Sequence, residues 1–362
     1  MYDTMRKLAS IRKVSKIEPI EKADSLELAH VDGWQCVVGK GQFKEGDEAI
    51  YFEIDSFLPV LPEFEFLRKN CFRSTKHLGE GFRIKTMKLR GVISQGLLMP
   101  LTGKLGEQVM LWDTVMRLVE DMEGNSDNVK SLDDFLGIKK WEVPVSPSLA
   151  GQIKGNFPSF IRKTDQERIQ NCYDSMAKKY KDEVFSASVK LDGSSMTVYY
   201  NNGEFGVCSR NLDIKESEDN TFWKVANKTN LKEALPKLGR NIAIQGELMG
   251  PGIQGNREKL SDHELFVFDV WDVDKQEYCS VDNKQEVLSA LKQHGAVLSE
   301  VPIAASWCFP FQDDLTMEEL LKISDETKSL TNPVAEGIVY RSVKDPNVSF
   351  KVISNKFLLK EE

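Results

Sequence analysis

The sequence has few of the residues that build metal clusters or disulfide frameworks. Its 362 residues include four histidines, all dispersed, and six cysteines, of which no two form a C-x-x-C pair. Scattered cysteines without such spacing argue against a zinc site and favour reduced thiols inside a cell. We therefore expect an intracellular protein, in the cytoplasm or the nucleus.

Long apolar runs are also missing. No stretch is long enough to predict a membrane span, and residues 1–7 lack the apolar core of a secretory signal. The sequence therefore predicts a protein with no membrane partner.

An overall excess of basic residues is absent too, because the formal net charge is −8. A nucleic-acid partner would therefore need a local basic surface. One stretch fits this requirement: residues 68–90 carry eight basic residues against a single acid, Glu80. A charge run is equally typical of a solvated face, so both interpretations stay open. The candidates for contacts with a phosphate backbone are Arg68, Arg73, Lys76, Arg83, Lys85, Lys88 and Arg90.

The most informative segment is the string K-L-D-G-S-S over residues 190–195. Apolar residues alternate with serines over 185–189, which predicts a strand before it. A second β-rich run follows and ends at Asn202-Gly203, a pair that tolerates the positive φ of tight hairpins. The sequence therefore places Lys190 at a strand end, beside a glycine that lets a ligand approach the backbone closely.

A lysine in this position suits nucleophilic attack on a nucleotide phosphate. The amine must be neutral to attack, and from a reference pKa of about 10.4 this costs roughly 4 kcal/mol near neutral pH. Nearby cations and desolvation lower the pKa, and Lys351 and a bound divalent ion could supply the charge. Carboxylates suit such an ion, and the candidates are Asp192, Glu247 and Glu336.

Four further segments follow in a fixed order. Glu247 comes just after an apolar strand, residues 265–272 form a second buried-type strand, Glu336 begins a third, and Lys351 lies in the last. With Lys190, these motifs resemble the covalent nucleotidyltransferase superfamily, which contains ATP-dependent polynucleotide ligases and mRNA capping enzymes. The resemblance extends over residues 185–360.

The resemblance implies a catalytic set and an ATP site. The catalytic residues would be Lys190, Asp192, Glu247, Glu336 and Lys351, with Asp192, Glu247 and Glu336 holding Mg²⁺ or Mn²⁺. The residues at ATP would be Val189, Lys190, Ser195, Arg210, Glu247, Phe266, Phe268 and Lys351. One phenylalanine would stack on the purine, although core packing alone also explains each. Related RNA ligases often carry a second lysine where this chain has Ile353, so it stays open which lysine, if any, assists Lys351.

The first 145 residues contain short strand-like segments separated by Gly-rich turns, which is typical of a small barrel. Residues 23–29 and 91–98 resemble segments of tRNA-binding OB domains. An OB domain ahead of a ligase core resembles the RNA ligase 5 family, which joins 3′-OH and 5′-phosphate RNA ends, typically at nicks in duplexes. The resemblance implies a lysyl-AMP intermediate on Lys190 and an adenylylated RNA 5′ end. The expected partner is a nicked RNA duplex or an RNA/DNA hybrid, and the expected state is a monomer.

These features predict an α+β fold. An N-terminal OB-fold β-barrel would precede an ATP-grasp-like nucleotidyltransferase domain of antiparallel sheets with flanking helices. The expected parts are an OB-fold RNA-binding domain over 1–145, a linker and helix over 146–183, and the nucleotidyltransferase domain over 184–362. In the linker, Ile169, Cys172 and Met176 recur at helical spacing. Arg168 and Gln170 are candidates for nucleotide or RNA contacts, or simply polar positions of that helix.

Two other classes of function stay open. A DNA ligase or a capping enzyme would carry an OB domain after the last motif, whereas only a short tail follows Lys351. A non-catalytic RNA-binding protein with a nucleotide pocket would form no covalent nucleotide adduct, and the complete set of charged motif residues argues against it. The sequence therefore favours an ATP-dependent RNA ligase.

Overall fold

A computed structural model describes residues 7–101, 132–141, 152–312 and 315–360. The chain divides into two compact units, Met1–Pro144 and Val145–Glu362. Each unit has its own hydrophobic core, so each is described separately.

The first unit is mostly short antiparallel strands. A 3₁₀ turn over Pro62–Leu67 precedes α1. The elements are β1 (Ala9–Pro19), β2 (Leu26–Val31), β3 (Trp34–Gly39), β4 (Glu48–Phe52), β5 (Ser56–Pro59), α1 (Arg68–Cys71), β6 (Phe72–Thr75), β7 (Gly79–Arg83), β8 (Met87–Leu89), β9 (Val92–Ser94), β10 (Leu97–Pro100), α2 (Leu132–Phe135) and β11 (Lys139–Lys140).

The main sheet of this unit is curled. Its strand order is β10-β4-β1-β2-β3, and a second sheet has the order β11-β5-β7-β6. Between Val14 and Lys16 the pairing of β1 with β2 shifts register, which bends the long first strand. Phe52, Leu58 and Phe82 fill the interior and are fully buried. This arrangement is an OB-like half-barrel.

The second unit interleaves strands and helices. Its strands are β12 (Ile153–Asn156), β13 (Glu167–Arg168), β14 (Phe185–Lys190), β15 (Ser194–Asn201), β16 (Glu204–Cys208), β17 (Leu212–Ile214), β18 (Ile242–Met249), β19 (Glu264–Asp272), β20 (Glu277–Tyr278), β21 (Ser299–Glu300), β22 (Ile303–Cys308), β23 (Gly337–Ser342) and β24 (Ser349–Ile353). Its helices are α3 (Ile169–Lys179), α4 (Thr221–Lys228), α5 (Leu231–Ala234), α6 (Val281–Gln293), α7 (Met317–Glu326) and α8 (Asn355–Leu358), with 3₁₀ turns at Leu235–Leu238 and Gln254–Asn256.

Two sheets organise this unit. The larger has the order β12-β17-β16-β15-β18-β19-β20, with β21 added beside β19, and we call it the large sheet. The smaller has the order β13-β24-β23-β14-β22, and we call it the small sheet. Most neighbouring strands are antiparallel, and helices cover the apolar faces. The predicted α+β class, with an OB-like unit ahead of antiparallel sheets and helices, is therefore confirmed.

Local sequence explains several of these elements. Asn202 and Gly203 have φ values of 49° and 86°, so the predicted hairpin turn joins β15 to β16. Helix α3 forms where the helical spacing was predicted, and Thr316 with Glu319 forms a capping box that begins α7. Part of the segment predicted as a linker is strand, because β12 joins the large sheet and β13 joins the small sheet.

Among the residues that the structure describes, no helix is both long enough and apolar enough to cross a membrane.

Candidate active site

Lys190 is the last residue of β14, which lies between β23 and β22 in the small sheet. Its backbone pairs with Gly337, the first residue of β23, so Glu336 lies directly beside it. The Lys190 Nζ donates to Glu336 Oε2 over 2.7 Å, and their side chains are 25% and 17% exposed. A Cβ on Gly337 would come within 2.3 Å of the carbonyl oxygen of Val352, so only glycine allows these strands to approach so closely.

Carboxylates dominate the electrostatics around Lys190. Burial alone would lower the pKa of this lysine, but the charges of Glu336 and Glu247 outweigh burial and raise the pKa above its usual value. The amine is therefore a charged ammonium in this arrangement. A neutral nucleophile requires additional positive charge that offsets these acids.

Asp192 lies two residues after Lys190, where the chain leaves the small sheet. Burial and the nearby Glu336 raise the pKa of Asp192 to about 6, although Lys190 and Arg257 act in the opposite direction. Arg257 Nη1 lies 3.5 Å from Asp192 Oδ2. Asp192 therefore belongs to the same charged cluster as Lys190 and Glu336.

Glu247 comes from β18 of the large sheet and reaches the same cluster. The backbone N–H of Gly193 donates to Glu247 Oε1 over 3.1 Å. Burial and the charge of Glu336 raise the pKa of Glu247 to about 7, while Lys190 acts against this rise. A Cβ on Gly193 would come within 2.9 Å of Glu247 Cγ and 2.5 Å of the Leu248 carbonyl oxygen. In this structure the glycine therefore makes room for a glutamate and a neighbouring strand.

The strand register places further charged residues on the face of the small sheet that carries Lys190. Side chains alternate along each strand and directly paired residues share a face. Ser188 pairs with Val339, and Val339 pairs with Lys351. Lys351 therefore lies on the Lys190 face, two strands away. Arg168 pairs with Lys351, so it lies on that face as well.

The two predicted phenylalanines share an apolar cluster beside the lysine. Phe266 and Phe268 contact the group formed by Val189, Leu191 and Met249. Phe268 lies at an irregularity in the pairing of β18 with β19, where the pairs move from Gly246–Val267 to Gln245–Asp269. Either ring is close to the strand that ends in Lys190, as a purine stacker requires.

Arg341 connects the two sheets at this point. It comes from β23, donates to Asp269 Oδ2 over 2.6 Å, and lies over the Phe268 ring at 5.7 Å. Both charged side chains are nearly buried, with exposures of 12% and 7%. Because a buried ion pair is costly to break from one side, Arg341 fixes the position of the strand that carries the phenylalanines.

Ser195 and Arg210 line a small cleft on the large sheet. Ser195 pairs directly with Glu247, so these two side chains share a face. Arg210 Nη2 donates to Asp165 Oδ1 over 2.8 Å, and both side chains are about half exposed. The cleft is lined by Phe157, Lys163, Thr164, Asp165, Ser195, Thr197 and Arg210.

The basic residues of the first unit have mixed surroundings. Arg68 forms two hydrogen bonds with Glu65 and lies over the Phe72 ring at 4.5 Å. Arg73 donates to a backbone carbonyl oxygen, and Arg83 lies over the Trp141 ring at 4.9 Å. Within the list from the sequence, Lys76, Lys88 and Arg90 are exposed and Lys85 is half-buried. Arg168 is only 7% exposed, so its side chain is buried.

Sequence reasoning missed several residues of this site. Arg257, Asp165, Asp269 and Arg341 belong to contacts between segments far apart in the chain. The one local signal is a glycine-rich loop, residues 250–257, in which several residues have positive φ. Of these features only the closely spaced glycines are visible in the sequence, and they could have marked this loop as a candidate.

The carboxylates fit a hard divalent cation. Asp192, Glu247 and Glu336 offer oxygen ligands. Burial and the charges of the neighbouring acids raise the pKa values of Asp192 and Glu247, and a bound cation would offset this repulsion. Within the described ranges, no cluster of three or more such side chains forms a ready-made metal cage. Mg²⁺ commonly keeps several waters and shares substrate phosphates, so an open set of this kind suits it.

Comparisons with known proteins define first the class and then the family. An OB-fold domain matches residues 8–101, and the RNA ligase family matches residues 183–353. No curated protein matches the chain significantly. Among solved structures, a mutant of Naegleria gruberi RNA ligase with AMP and Mn is 38% identical, with a TM-score of 0.86, and the match covers 98% of this chain and 99% of that one.

Two more structures of that ligase are similar to the chain. One is a mutant with ATP and Mn, with a TM-score of 0.85, and the other contains PPi, with a TM-score of 0.84. Both are 39% identical and cover 98% of this chain and 99% of theirs. The chain therefore belongs to the RNA ligase family. The predicted family, with an OB-fold domain ahead of a ligase domain, and the predicted enzyme class are confirmed.

Proposed function

We propose that this enzyme uses ATP to join 3′-OH and 5′-phosphate RNA ends at nicks in duplexes. The observation that supports this most directly is Lys190, whose amine lies 2.7 Å from Glu336 among three acids where two sheets meet. The Naegleria structures contain ATP, AMP, PPi and Mn, which are the substrate, products and metal that such a reaction uses.

The first step is transfer of AMP to Lys190. The Nζ lone pair attacks the α-phosphorus, the bond from that phosphorus to the bridging oxygen breaks, and pyrophosphate leaves. Glu336 Oε2 is an acceptor within reach of the proton that the amine must lose. Bound Mg²⁺ or Mn²⁺ would supply positive charge that stabilises phosphate oxygens. Asp192, Glu247 and Glu336 are the residues that would hold it.

The other site residues would position the nucleotide and neutralise the charge on its phosphates. Lys351 lies on the Lys190 face and suits contact with the charge that develops on the α-phosphate. Phe266 or Phe268 would stack on adenine, and Arg210 and Ser195 line the cleft on the large sheet. In the two later steps, AMP passes to the RNA 5′-phosphate and the 3′-OH displaces it, so positioning of both ends governs the rate.

The first unit would position the RNA, and one copy of the protein would act at each nick. Lys76, Lys88 and Arg90 are exposed and suit phosphate contacts, with the other basic residues of 68–90 as weaker candidates. OB folds commonly offer a basic groove to nucleic-acid backbones. The complementary strand is RNA or DNA.

Two assays test this function. Incubation with α-³²P-labelled ATP should label the protein covalently, and labelled GTP should not. Nicks with RNA ends should then be sealed better than nicks with DNA ends, whether the complementary strand is RNA or DNA. A chain that accepts GTP instead, or that forms no adduct with either nucleotide, would contradict the proposal.

A further inference from the structure

The loop that joins β18 to β19 contacts two segments at the candidate active site, namely Asp192 just after β14 and residues 331–334 just before β23. We call residues 250–260 the strap. It follows Glu247 by three residues, so it extends the strand that supplies an acid from the large sheet. Its far side touches residues 329–334, which lead directly into Glu336 and the small sheet. The strap is therefore a direct connection between two acid-bearing segments from different sheets.

Glu258 makes the densest contacts of the strap. Its side chain is 5% exposed, and its Oε2 accepts from the Thr331 N–H at 2.6 Å, the Thr331 hydroxyl at 3.0 Å and the Asn332 N–H at 3.2 Å. Burial acts to raise the pKa of Glu258, but hydrogen bonds from Ser329, Thr331 and Asn332 outweigh burial and lower the pKa below its usual value. A buried carboxylate with several donors is held firmly, because losing it would leave those donors unsatisfied.

Arg257 extends the same connection to the lysine motif. Its guanidinium lies over the Phe357 ring at 4.5 Å, with Nη1 3.5 Å from Asp192 Oδ2 and Nη2 3.5 Å from the Val334 carbonyl oxygen. Asp192 follows Lys190 by two residues, and Val334 precedes Glu336 by two. One planar side chain therefore spans the two segments from which the lysine and its acid partner emerge.

The backbone of the strap indicates that this shape is imposed. Gln254, Asn256 and Lys259 have φ values of 41°, 47° and 54°, which non-glycine residues rarely adopt. Such a conformation is strained and persists only where its surroundings enforce it. The Asn256 side chain, which bonds both the N–H and the carbonyl oxygen of Leu260, supplies part of that enforcement.

We propose that Arg257 and Glu258 are positioning residues that hold the segments carrying Asp192, Glu247 and Glu336 beside one another, so that these acids, together with water and substrate phosphates, act on one divalent ion. The inference rests on the proposed function. Neither residue needs to touch the ion or the nucleotide. Residues that orient metal ligands typically contribute about 10-fold to 100-fold to metal affinity or activity.

The test compares four variants with the unaltered full-length protein. Glu258→Ala removes the contacts to 331–332, Glu258→Gln keeps their shape and one acceptor oxygen, and Arg257→Met removes the charge but keeps an apolar side chain over Phe357. Lys259→Ala is the matched control, because Lys259 is exposed and lies in the same loop. The readouts are Mn²⁺ binding by electron paramagnetic resonance in the presence of an ATP analogue that cannot be cleaved between the α- and β-phosphates, the Mn²⁺ concentration for half-maximal adduct formation, and the melting temperature.

We expect Glu258→Ala and Arg257→Met to weaken Mn²⁺ binding and raise the half-maximal Mn²⁺ concentration by about tenfold or more. Glu258→Gln should recover most of this loss, and Lys259→Ala should match the unaltered protein. If Glu258→Ala does not fold, the Mn²⁺ dependence of Arg257→Met alone tests the inference. Folded variants with unchanged Mn²⁺ dependence, or a Lys259→Ala protein with the same defect, would overturn the inference. Absence of any adduct in the unaltered protein would instead contradict the proposed function.

Discussion

Replacing Glu336 by glutamine sets two effects of one carboxylate against each other. The charge of Glu336 raises the pKa of Lys190, so its removal lowers that pKa and increases the neutral, nucleophilic fraction. Below the pKa, each unit of lowering increases the neutral fraction about tenfold. If Glu336 served only as a counter-ion for the lysine, the variant would form the AMP adduct faster at neutral pH.

The opposite effect is the loss of a metal ligand at the phosphate. Removing one preorganised charge from such a site costs on the order of 3 kcal/mol, or roughly a hundredfold in rate. The gain in neutral lysine is limited, because Glu247 and Asp192 still raise the pKa of Lys190. We therefore expect adduct formation by Glu336→Gln to be about a hundredfold slower.

The assay is the single-turnover rate of AMP transfer from labelled ATP at saturating Mg²⁺. Glu326→Gln is the matched control, since Glu326 is an exposed acid at the end of α7 and should leave the rate unchanged. A Glu336→Gln protein that is folded and as fast as the unaltered enzyme, or faster, would refute the metal-ligand role.

The remaining predictions concern the second cation, the metal and the first unit. Lys351→Ala should slow adduct formation by about a hundredfold, because Lys351 shares the face of Lys190; a near-normal rate would exclude it from the site. Excess EDTA should prevent adduct formation, and robust labelling in EDTA would contradict the metal requirement. Deleting residues 1 to 145 should impair nick sealing far more than adduct formation, with part of the sealing of pre-adenylylated nicks retained. Binding of nicked RNA by the full chain should weaken steeply with salt. A folded truncation that seals nicks as well as the full chain would show that the first unit does not place the RNA.

Local patterns predicted the elements whose signal lies within a few residues. The strand before Lys190, the Asn202-Gly203 turn and helix α3 each follow from spacing or from backbone preferences that neighbours cannot easily override. The order of the motifs then predicted the family. The acids at Lys190 were named for the same reason, because each lies within or next to a strand with a strong apolar pattern.

Contacts between the two sheets could not be predicted from the sequence. Arg341 meets Asp269 across 72 positions, and Arg257 meets Asp192 across 65, so neither pair has a local signal. Strands β12 and β13 have four and two residues, which is too short for a period to be read, and their pairing partners are distant. The basic stretch 68–90 shows the same limit. Its charges predicted exposed side chains, whereas the Arg83 guanidinium packs on the Trp141 ring.

The central claim is that Lys190 carries AMP, and locating the adduct tests it most directly. The protein is incubated with ATP and Mg²⁺, digested, and the modified peptide is sequenced by mass spectrometry, with Lys190→Ala treated in parallel. The account predicts one AMP on Lys190, no adduct on the Lys190→Ala protein, and no sealing of 5′-phosphorylated nicks by that variant. An AMP found on another lysine, or an adduct that persists in Lys190→Ala, would contradict it.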